Sequence, residues 1–154
     1  MAGMIEIRDN TEGGHVAVDF AQILPVLEPE GRGLAWALQA FEVNPLKGFV
    51  PDPARPTFAD IEERVEQSRC GAILDWQAVC QLAQSNCQTI WATLVGCCEV
   101  ALIPDRGTTD LCSACEVVVE AIDGECWEVY AKDDEILARF KAAFPNAREV
   151  PERA

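Results

Sequence analysis

The sequence predicts an α+β fold, in which two or three helices pack on one face of a mainly antiparallel sheet of four to six strands. Three segments repeat apolar residues with the period of a helix, and extended apolar runs lie between the second and third of them. Asp123-Gly124 joins two of these runs and is a strong β-hairpin signal. Together these observations indicate helices packed against an antiparallel sheet.

The chain of 154 residues has the usual size of one domain, which we assign to residues 1–154. Prolines gather in residues 44–56, which we interpret as a long loop within this domain. The roughly forty residues before that loop are too few to form an independent core. The polar tail, residues 145–154, is expected to fray.

The first predicted helix begins after Thr57, a favourable N-cap with Asp60 three residues on, and stops before Gly71. Its expected buried face is Phe58, Ile61 and Val65. The second begins near Asp75. Its apolar stripe is Trp76, Val79, Cys80, Ala83 and Cys87, so two cysteines are expected on a buried face.

The third predicted helix begins near Asp133, and acidic residues in its first turn suit the positive end of the helix dipole. Its expected core stripe is Ile136, Leu137, Phe140, Ala143 and Phe144. Pro145 ends the helix, because a proline interrupts the helical hydrogen-bond pattern.

Three strands are predicted between the second and third helices, over residues 89–103, 111–122 and 125–132. The first is apolar on both faces and is expected at the centre of the sheet. Near the N-terminus, residues 5–8 and 15–19 would form a hairpin, and residues 34–43 fit either a strand or a helix. Prolines 25 and 29 argue against a long helix from Phe20.

The hairpin register can be inferred from its pattern. A two-residue loop of Asp123 and Gly124 would mix apolar and acidic residues on both faces. A three-residue loop that begins at Ile122 separates them and pairs Val119 with Trp127, so it is preferred. One face is then Cys115, Val117, Val119, Ala121, Trp127, Val129 and Ala131. The other is Glu116, Val118, Glu120, Cys126, Glu128 and Tyr130.

The chain carries 26 acidic and 12 basic residues, a net charge of −14. Such a surface repels nucleic acid and anionic membranes and attracts basic proteins, so neither polyanion is an expected partner. Residues 1–19 lack a signal-peptide pattern, and no apolar run approaches the ~20 residues of a membrane helix. We therefore expect a cytoplasmic protein, whose eight cysteines are reduced thiols.

Cys112 and Cys115 have the spacing of half a zinc site or a redox pair. They are predicted to open a strand rather than a helix, and strand residues at this spacing point to opposite faces. We therefore interpret them as buried structural thiols and expect no metal and no cofactor. The one histidine, His15, would be the sole partner for a cysteine nucleophile, and an exposed or strand-edge position is the simpler interpretation.

Acidic residues concentrate between Asp110 and Glu135, a segment that contains nine acids and a single base, Lys132. The preferred register places several of them on one sheet face. We predict a partner-binding surface of Glu116, Glu120, Asp123, Glu125, Glu128 and Tyr130. Focused charge speeds encounter with a basic partner, and tyrosine is enriched in interface hot spots. A solvated outer sheet face is the alternative interpretation of the same pattern.

No catalytic motif is recognisable, so the favoured hypothesis is a small acidic protein that neutralises a basic macromolecule, such as an immunity protein or antitoxin against a nuclease-type toxin. One alternative is an enzyme with a site near the 44–56 loop. A second is a domain stabilised by zinc through Cys112, Cys115 and other thiols. The tryptophans at 36, 76, 91 and 127 are expected in the core.

Overall fold

A seven-stranded sheet organises the chain in the computed structural model, which describes residues 3–8, 18–83 and 86–151. The strands are β1 (Gly3–Ile7), β2 (Ala35–Pro45), β3 (Ala72–Leu74), β4 (Cys87–Cys97), β5 (Val117–Ile122), β6 (Cys126–Ala131) and β7 (Arg148–Val150). Their order across the sheet is β3-β2-β4-β5-β6-β1-β7, and every pairing is antiparallel. The predicted α+β class is confirmed.

Within the part of the chain that the structure describes, five α-helices accompany the sheet: α1 (Phe20–Ile23), α2 (Phe58–Glu66), α3 (Trp76–Gln81), α4 (Leu111–Ala114) and α5 (Asp134–Ala143). Short 3-10 helices occupy Leu24–Leu27, Glu30–Gly33 and Val100–Leu102. The predicted helix starts are confirmed. Thr57 and Asp60 form a reciprocal capping box on α2, and Asp75 and Asp133 cap α3 and α5 through their side chains.

The second helix is shorter than its apolar stripe suggested. It ends at Gln81, and Cys87 is already the first residue of β4. Asn86 adopts a φ of +58°, a turn conformation that asparagine tolerates, and the chain passes from it into the strand. The prediction of two buried cysteines on this helix was therefore wrong: Cys80 is exposed and Cys87 is half-buried in a strand.

The strands on either side of residues 98–116 are also shorter than predicted. β4 stops at Cys97 and β5 starts at Val117, and the segment between them forms a 3-10 turn and the single-turn helix α4. Asp110 caps α4, because its carboxylate accepts a hydrogen bond from the Ser113 N–H at 3.3 Å. This segment folds over one face of the sheet.

Both ends of the chain add strands to the sheet edge. β1 lies between β6 and β7, so the tail that was expected to fray instead contributes residues 148–150 to the sheet. Residues 15–17, part of the predicted N-terminal hairpin, lie outside the described residues. Asp19 is the N-cap of α1, and the ambiguous segment 34–43 is resolved as strand β2.

The β5–β6 hairpin has the predicted faces but different partners. Ile122 pairs with Cys126, so the loop is Asp123, Gly124 and Glu125, and Trp127 lies opposite Ala121. Asp123 and Gly124 both have positive φ, and the Glu125 N–H donates to the Ile122 carbonyl at 2.9 Å. The loop thus lies one residue beyond its predicted position, and this shifts the cross-strand partner of each residue by two. A slip of two residues preserves side-chain parity, which is why the faces were still correct.

The core has two layers, one on each face of the sheet. The larger packs α1, α2, α3 and α5 on the first face and includes Trp36 and Trp127, whose indole N–H groups donate to the Gly31 and Val18 carbonyls, each at 2.7 Å. The smaller lies under residues 98–116 and consists of Met4, Ala37, Val95, Cys97, Ile103, Cys112, Cys115, Val118 and Tyr130. Cys115 belongs to this second layer, not to the face on which it was predicted.

Across residues 3–8, 18–83 and 86–151, no helix combines the length and apolar character needed to cross a lipid bilayer.

Gly71→Ala is expected to destabilise the fold by at least about 2 kcal/mol. Gly71 has a φ of +84°, and an added Cβ would collide with the Leu38 carbonyl oxygen. Urea unfolding followed by tryptophan fluorescence measures the effect. Gly33→Ala is the control, because no atom lies within 4 Å of its added Cβ, and it should change stability by less than about 0.5 kcal/mol. Equal stability of the two variants would contradict the expected strain.

Candidate functional site

The predicted acidic surface divides into buried and exposed parts. Glu128 and Tyr130 are 5% and 3% exposed, so their side chains offer almost no surface. Asp123 and Glu125 are exposed at the hairpin turn. Glu120 is half-buried between these groups. The hairpin turn therefore presents the most accessible carboxylates of the predicted set.

Tyr130 is buried because the second sheet face carries an apolar row beneath residues 98–116. Ala37, Val95, Val118, Tyr130 and Met4 are neighbours across five adjacent strands. Ile103 and Cys112 from the covering segment pack in the same layer. Glu116 lies at the margin of this layer, half-exposed, and its carboxylate is 3.5 Å from the Lys132 Nζ.

A row of three glutamates runs beside the apolar row. Glu120 lies opposite Glu128, and Glu128 lies opposite Glu6. Arg148 on β7 is the next residue in the row, and its guanidinium is 2.8 Å from the Glu6 Oε1. The Arg8 Nε is 3.2 Å from the same oxygen. Two guanidinium groups thus hold the end of the glutamate row, an arrangement that the hairpin pattern alone did not reveal.

The hydrogen bond from Arg8 lowers the pKa of Glu6, and the bond from Arg148 adds to this effect, whereas burial opposes it. A lowered folded-state pKa means that the stabilisation is fully present above the ordinary value of 4.5. It is lost as pH falls through the folded-state pKa. Glu6 therefore stabilises the sheet edge at neutral pH.

Glu6→Gln is expected to cost about 1–2 kcal/mol of unfolding free energy at about pH 7, because two charge-assisted hydrogen bonds are weakened. The difference from wild type should shrink at a second pH below the lowered folded-state pKa of Glu6, where the wild-type carboxylate is protonated too. Urea unfolding at both pH values measures this. Glu149→Gln is the control, since its ion pair with Lys141 is exposed and should contribute little. A pH-independent cost would contradict the assignment.

Trp91 is the exposed tryptophan, with 44% of its surface accessible, although it was predicted in the core. Ala92 and Leu94 face the first core layer, so alternation places Trp91 on the second face. The side chains of the second core layer on the same strand are Val95 and Cys97, at its far end. The covering segment therefore packs away from Trp91.

Trp91 has an acidic neighbour on one side and an apolar neighbour on the other, beyond which lies the hairpin turn. Glu42 on β2 is its cross-strand partner. On the other side, Ala92 pairs with Ala121, which places Ile122 beside Trp91, and the Gly124 N–H donates to the Ile90 carbonyl at 2.9 Å. The hairpin turn is thereby held against β4. We define the Trp91 patch as Glu42, Trp91, Ile122, Asp123 and Glu125.

A groove of about 430 Å³ adjoins the patch, between the outer side of β2 and helix α2. We name it the β2-edge groove. It is lined by Gln39, Ala40, Phe41, Glu42, Glu62, Val65, Glu66, Trp91 and Arg106. The Arg106 guanidinium donates to the Ser68 and Glu66 carbonyls at 3.0 and 3.2 Å, so it is anchored to the backbone at one end. The remaining charged groups of the lining are carboxylates.

Cys112 and Cys115 lie on and just after helix α4, which corrects the prediction that they open a strand. Both are buried, and Cys115 is near the buried Cys97. Burial raises the pKa of the Cys115 thiol, and the neighbouring Cys97 raises it further. Such thiols are protonated and poorly nucleophilic. Within the described ranges, no group of three or more His, Cys, Asp or Glu side chains is placed to hold a metal ion.

The 44–56 loop borders a pocket of about 150 Å³ between Phe49, Pro51 and Phe58. This volume is below the ~300 Å³ at which small-molecule sites usually begin. Its charged groups, Asp52 and Arg55, face each other at 3.5 Å, and Arg55 also donates to the Ala83 carbonyl. His15, the sole histidine that could pair with a cysteine nucleophile, lies outside the described residues. The loop therefore adds no specific observation in favour of a catalytic site.

The native thiols should react unequally with an alkylating reagent. Exposed Cys80 and Cys98 are expected to be labelled first, whereas buried Cys97, Cys112, Cys115 and Cys126 should need unfolding. The charge of Glu116 raises the pKa of Cys98, so Glu116→Gln should speed labelling of Cys98 and leave Cys80 unchanged. Peptide mass spectrometry after timed alkylation measures both rates. Rapid labelling of Cys115 in the folded chain would contradict its burial.

Comparison of the chain with known protein families, curated proteins and solved structures finds no match. The residues and their geometry are therefore the basis for a functional interpretation.

Proposed function

We propose that this is a small acidic binding protein of the cytoplasm, which neutralises a basic protein partner through the Trp91 patch. The observation that carries the proposal is an exposed tryptophan beside the exposed carboxylate of Glu42, with the exposed acidic hairpin turn beyond its other neighbour, Ile122. An immunity protein or antitoxin that blocks a nuclease-type toxin has this kind of role. Such a toxin acts on a polyanion and so presents a basic surface, which an acidic protein can cover.

Tryptophan and carboxylates at an interface attract the same cationic side chains. Tryptophan is among the residues most enriched in binding hot spots, and its ring face attracts lysine and arginine. The carboxylate of Glu42 beside the ring and those of the hairpin turn can pair with the same cations. The net charge of −14 raises the rate of encounter with a basic protein before any contact forms. Ring and charges thus favour the same class of partner.

The other predicted residues fit this proposal in different roles. Glu116 and Glu120 carry partly exposed charge on the same sheet face as Trp91. Glu128 and Tyr130 are buried beneath that face and support the hairpin from inside. The proposed contact surface is therefore the Trp91 patch with Glu120 at its margin, whereas Glu116 lies at the opposite end of β5.

Trp91→Ser and the double variant Asp123→Asn, Glu125→Gln should each weaken partner binding by roughly tenfold or more, because a hot-spot side chain or two charges are lost. Asparagine is chosen at position 123 because it tolerates the positive φ of +52° found there. The measurement is affinity capture from host lysate at low and moderate salt, followed by titration of the captured protein with each variant.

Glu63→Gln with Glu99→Gln is the matched control, since it removes two exposed charges away from the patch. The proposal expects one basic protein to be retained at both salt concentrations and to bind the control like wild type. Equal weakening by the control would show that only net charge matters. Retention of nothing specific, or only of basic proteins that salt removes, would contradict the proposal.

A further inference from the structure

The outer edge of β2 is uncovered over part of its length. β3 pairs with Trp36, Ala37 and Leu38 only. The chain enters β3 at Gly71, which is packed against the Leu38 backbone. From Ala40 onwards, no strand among the described residues lies on this side of β2. Unpaired strand edges are natural templates for another extended segment.

The β2-edge groove runs along that open edge. Four consecutive β2 residues line it, from Gln39 to Glu42. The side chains of Ala40, Phe41 and Glu42 alternate between the two faces of the sheet, so a groove that touches all three follows the backbone edge rather than one face. Residues 40–43 span roughly 13 Å at ~3.3 Å per residue, so an extended segment of about four residues would pair along this edge.

The walls of the groove carry negative charge on both faces of the sheet. Glu62 and Glu66 project from α2 on the first face, and Glu42 lies beside Trp91 on the second. Arg106 is the counter-charge, and it is already anchored to the Ser68 and Glu66 carbonyls. A strand added to this edge would direct its successive side chains to these two walls in turn. Lysine or arginine at either position would meet a carboxylate.

We propose that the β2-edge groove binds an extended basic segment of the partner by strand addition, through main-chain hydrogen bonds to residues 40–43. This inference rests on the proposed function and names how the partner is held. Main-chain pairing supplies affinity, and the acidic walls select a lysine- or arginine-rich sequence. Glu42 and Trp91 belong to both the groove and the Trp91 patch.

The first test uses three synthetic probes of about eight residues, long enough to span the open edge. One repeats two lysines followed by two threonines, so that lysines are directed to both walls. The second has the same sequence but carries N-methyl groups that remove its main-chain donors. The third replaces lysine with glutamate. Each is titrated into the isotope-labelled full chain, and backbone amide shifts and hydrogen exchange are followed by NMR.

Strand addition predicts that the lysine peptide slows amide exchange within residues 40–43 and binds at least roughly tenfold more tightly than its N-methylated form. The glutamate peptide should not bind. Equal binding of the two lysine peptides would overturn strand addition but leave the proposed function standing, because charge attraction alone would explain it. Failure of the lysine peptide to bind would also overturn the inference, and partner capture by the Trp91 patch would still be judged separately.

A helix variant tests the location without altering β2. Glu62→Lys with Glu66→Lys reverses the charge of the α2 wall and should weaken binding of the lysine peptide by roughly tenfold. Glu63→Lys, on the same helix but outside the groove, is the control and should change binding by less than about twofold. Far-ultraviolet circular dichroism confirms that each variant folds. Equal effects of the two reversals would overturn the assignment to the groove.

Discussion

The pairing of β2 with β4 is the contact on which the rest of the molecule depends. Both strands have eleven residues, and their ladder joins the α2–α3 side of the fold to the hairpin side. A bulge between Leu38 and Ala40 interrupts the register. Gln39 is the extra residue, and its amide donates to the Cys70 and Pro104 carbonyls at 3.3 and 2.7 Å. One irregularity in the ladder thus ties the turn before β3 to the loop before α4.

The bulge also explains why the open edge begins where it does. β3 pairs with β2 only up to Leu38, on the far side of the bulge from Phe41 and Glu42. Bulges bend a strand and increase its twist, which turns the following residues away from the neighbour. The backbone that β3 leaves uncovered then borders the β2-edge groove. The groove, the exposed Trp91 and the acidic hairpin turn are consequently arranged along one end of the sheet.

Local features of the sequence were enough to predict the parts of the fold that depend on neighbours in the chain. The caps at Thr57, Asp75 and Asp133 act within one turn, so their residue types identified the helix starts. The two faces of the β5–β6 hairpin were predicted correctly, because side chains alternate along each strand and a slip of two residues leaves that alternation unchanged. The covering segment 98–116 and strand β7 could not be predicted in this way. Their positions depend on contacts with distant strands, and their short apolar runs fit several structures equally well.

The residues of the candidate site also divide into those predicted from neighbours in the sequence and those whose position depends on distant strands. Asp123 and Glu125 were predicted from the density of acids near a turn, which is a local signal. Trp91 was placed in the core because tryptophan is usually buried, and its exposure depends on where the covering segment ends. The alternation of β4 carried part of the missing information. Ala92 and Leu94 share the first face of the sheet, so alternation places Trp91 on the second face with Val95 and Cys97. Alternation does not show that the covering segment ends before it reaches Trp91.

The acidic walls of the β2-edge groove also affect whether copies of the chain associate with one another. An open strand edge beside an exposed aromatic ring is a hazard, because two identical edges can join and begin a growing aggregate. Two copies that approached through this edge would bring Glu42, Glu62 and Glu66 of each against the same residues of the other. Repulsion between these carboxylates would oppose the contact. The carboxylates that admit a basic strand therefore also act as gatekeepers against self-assembly.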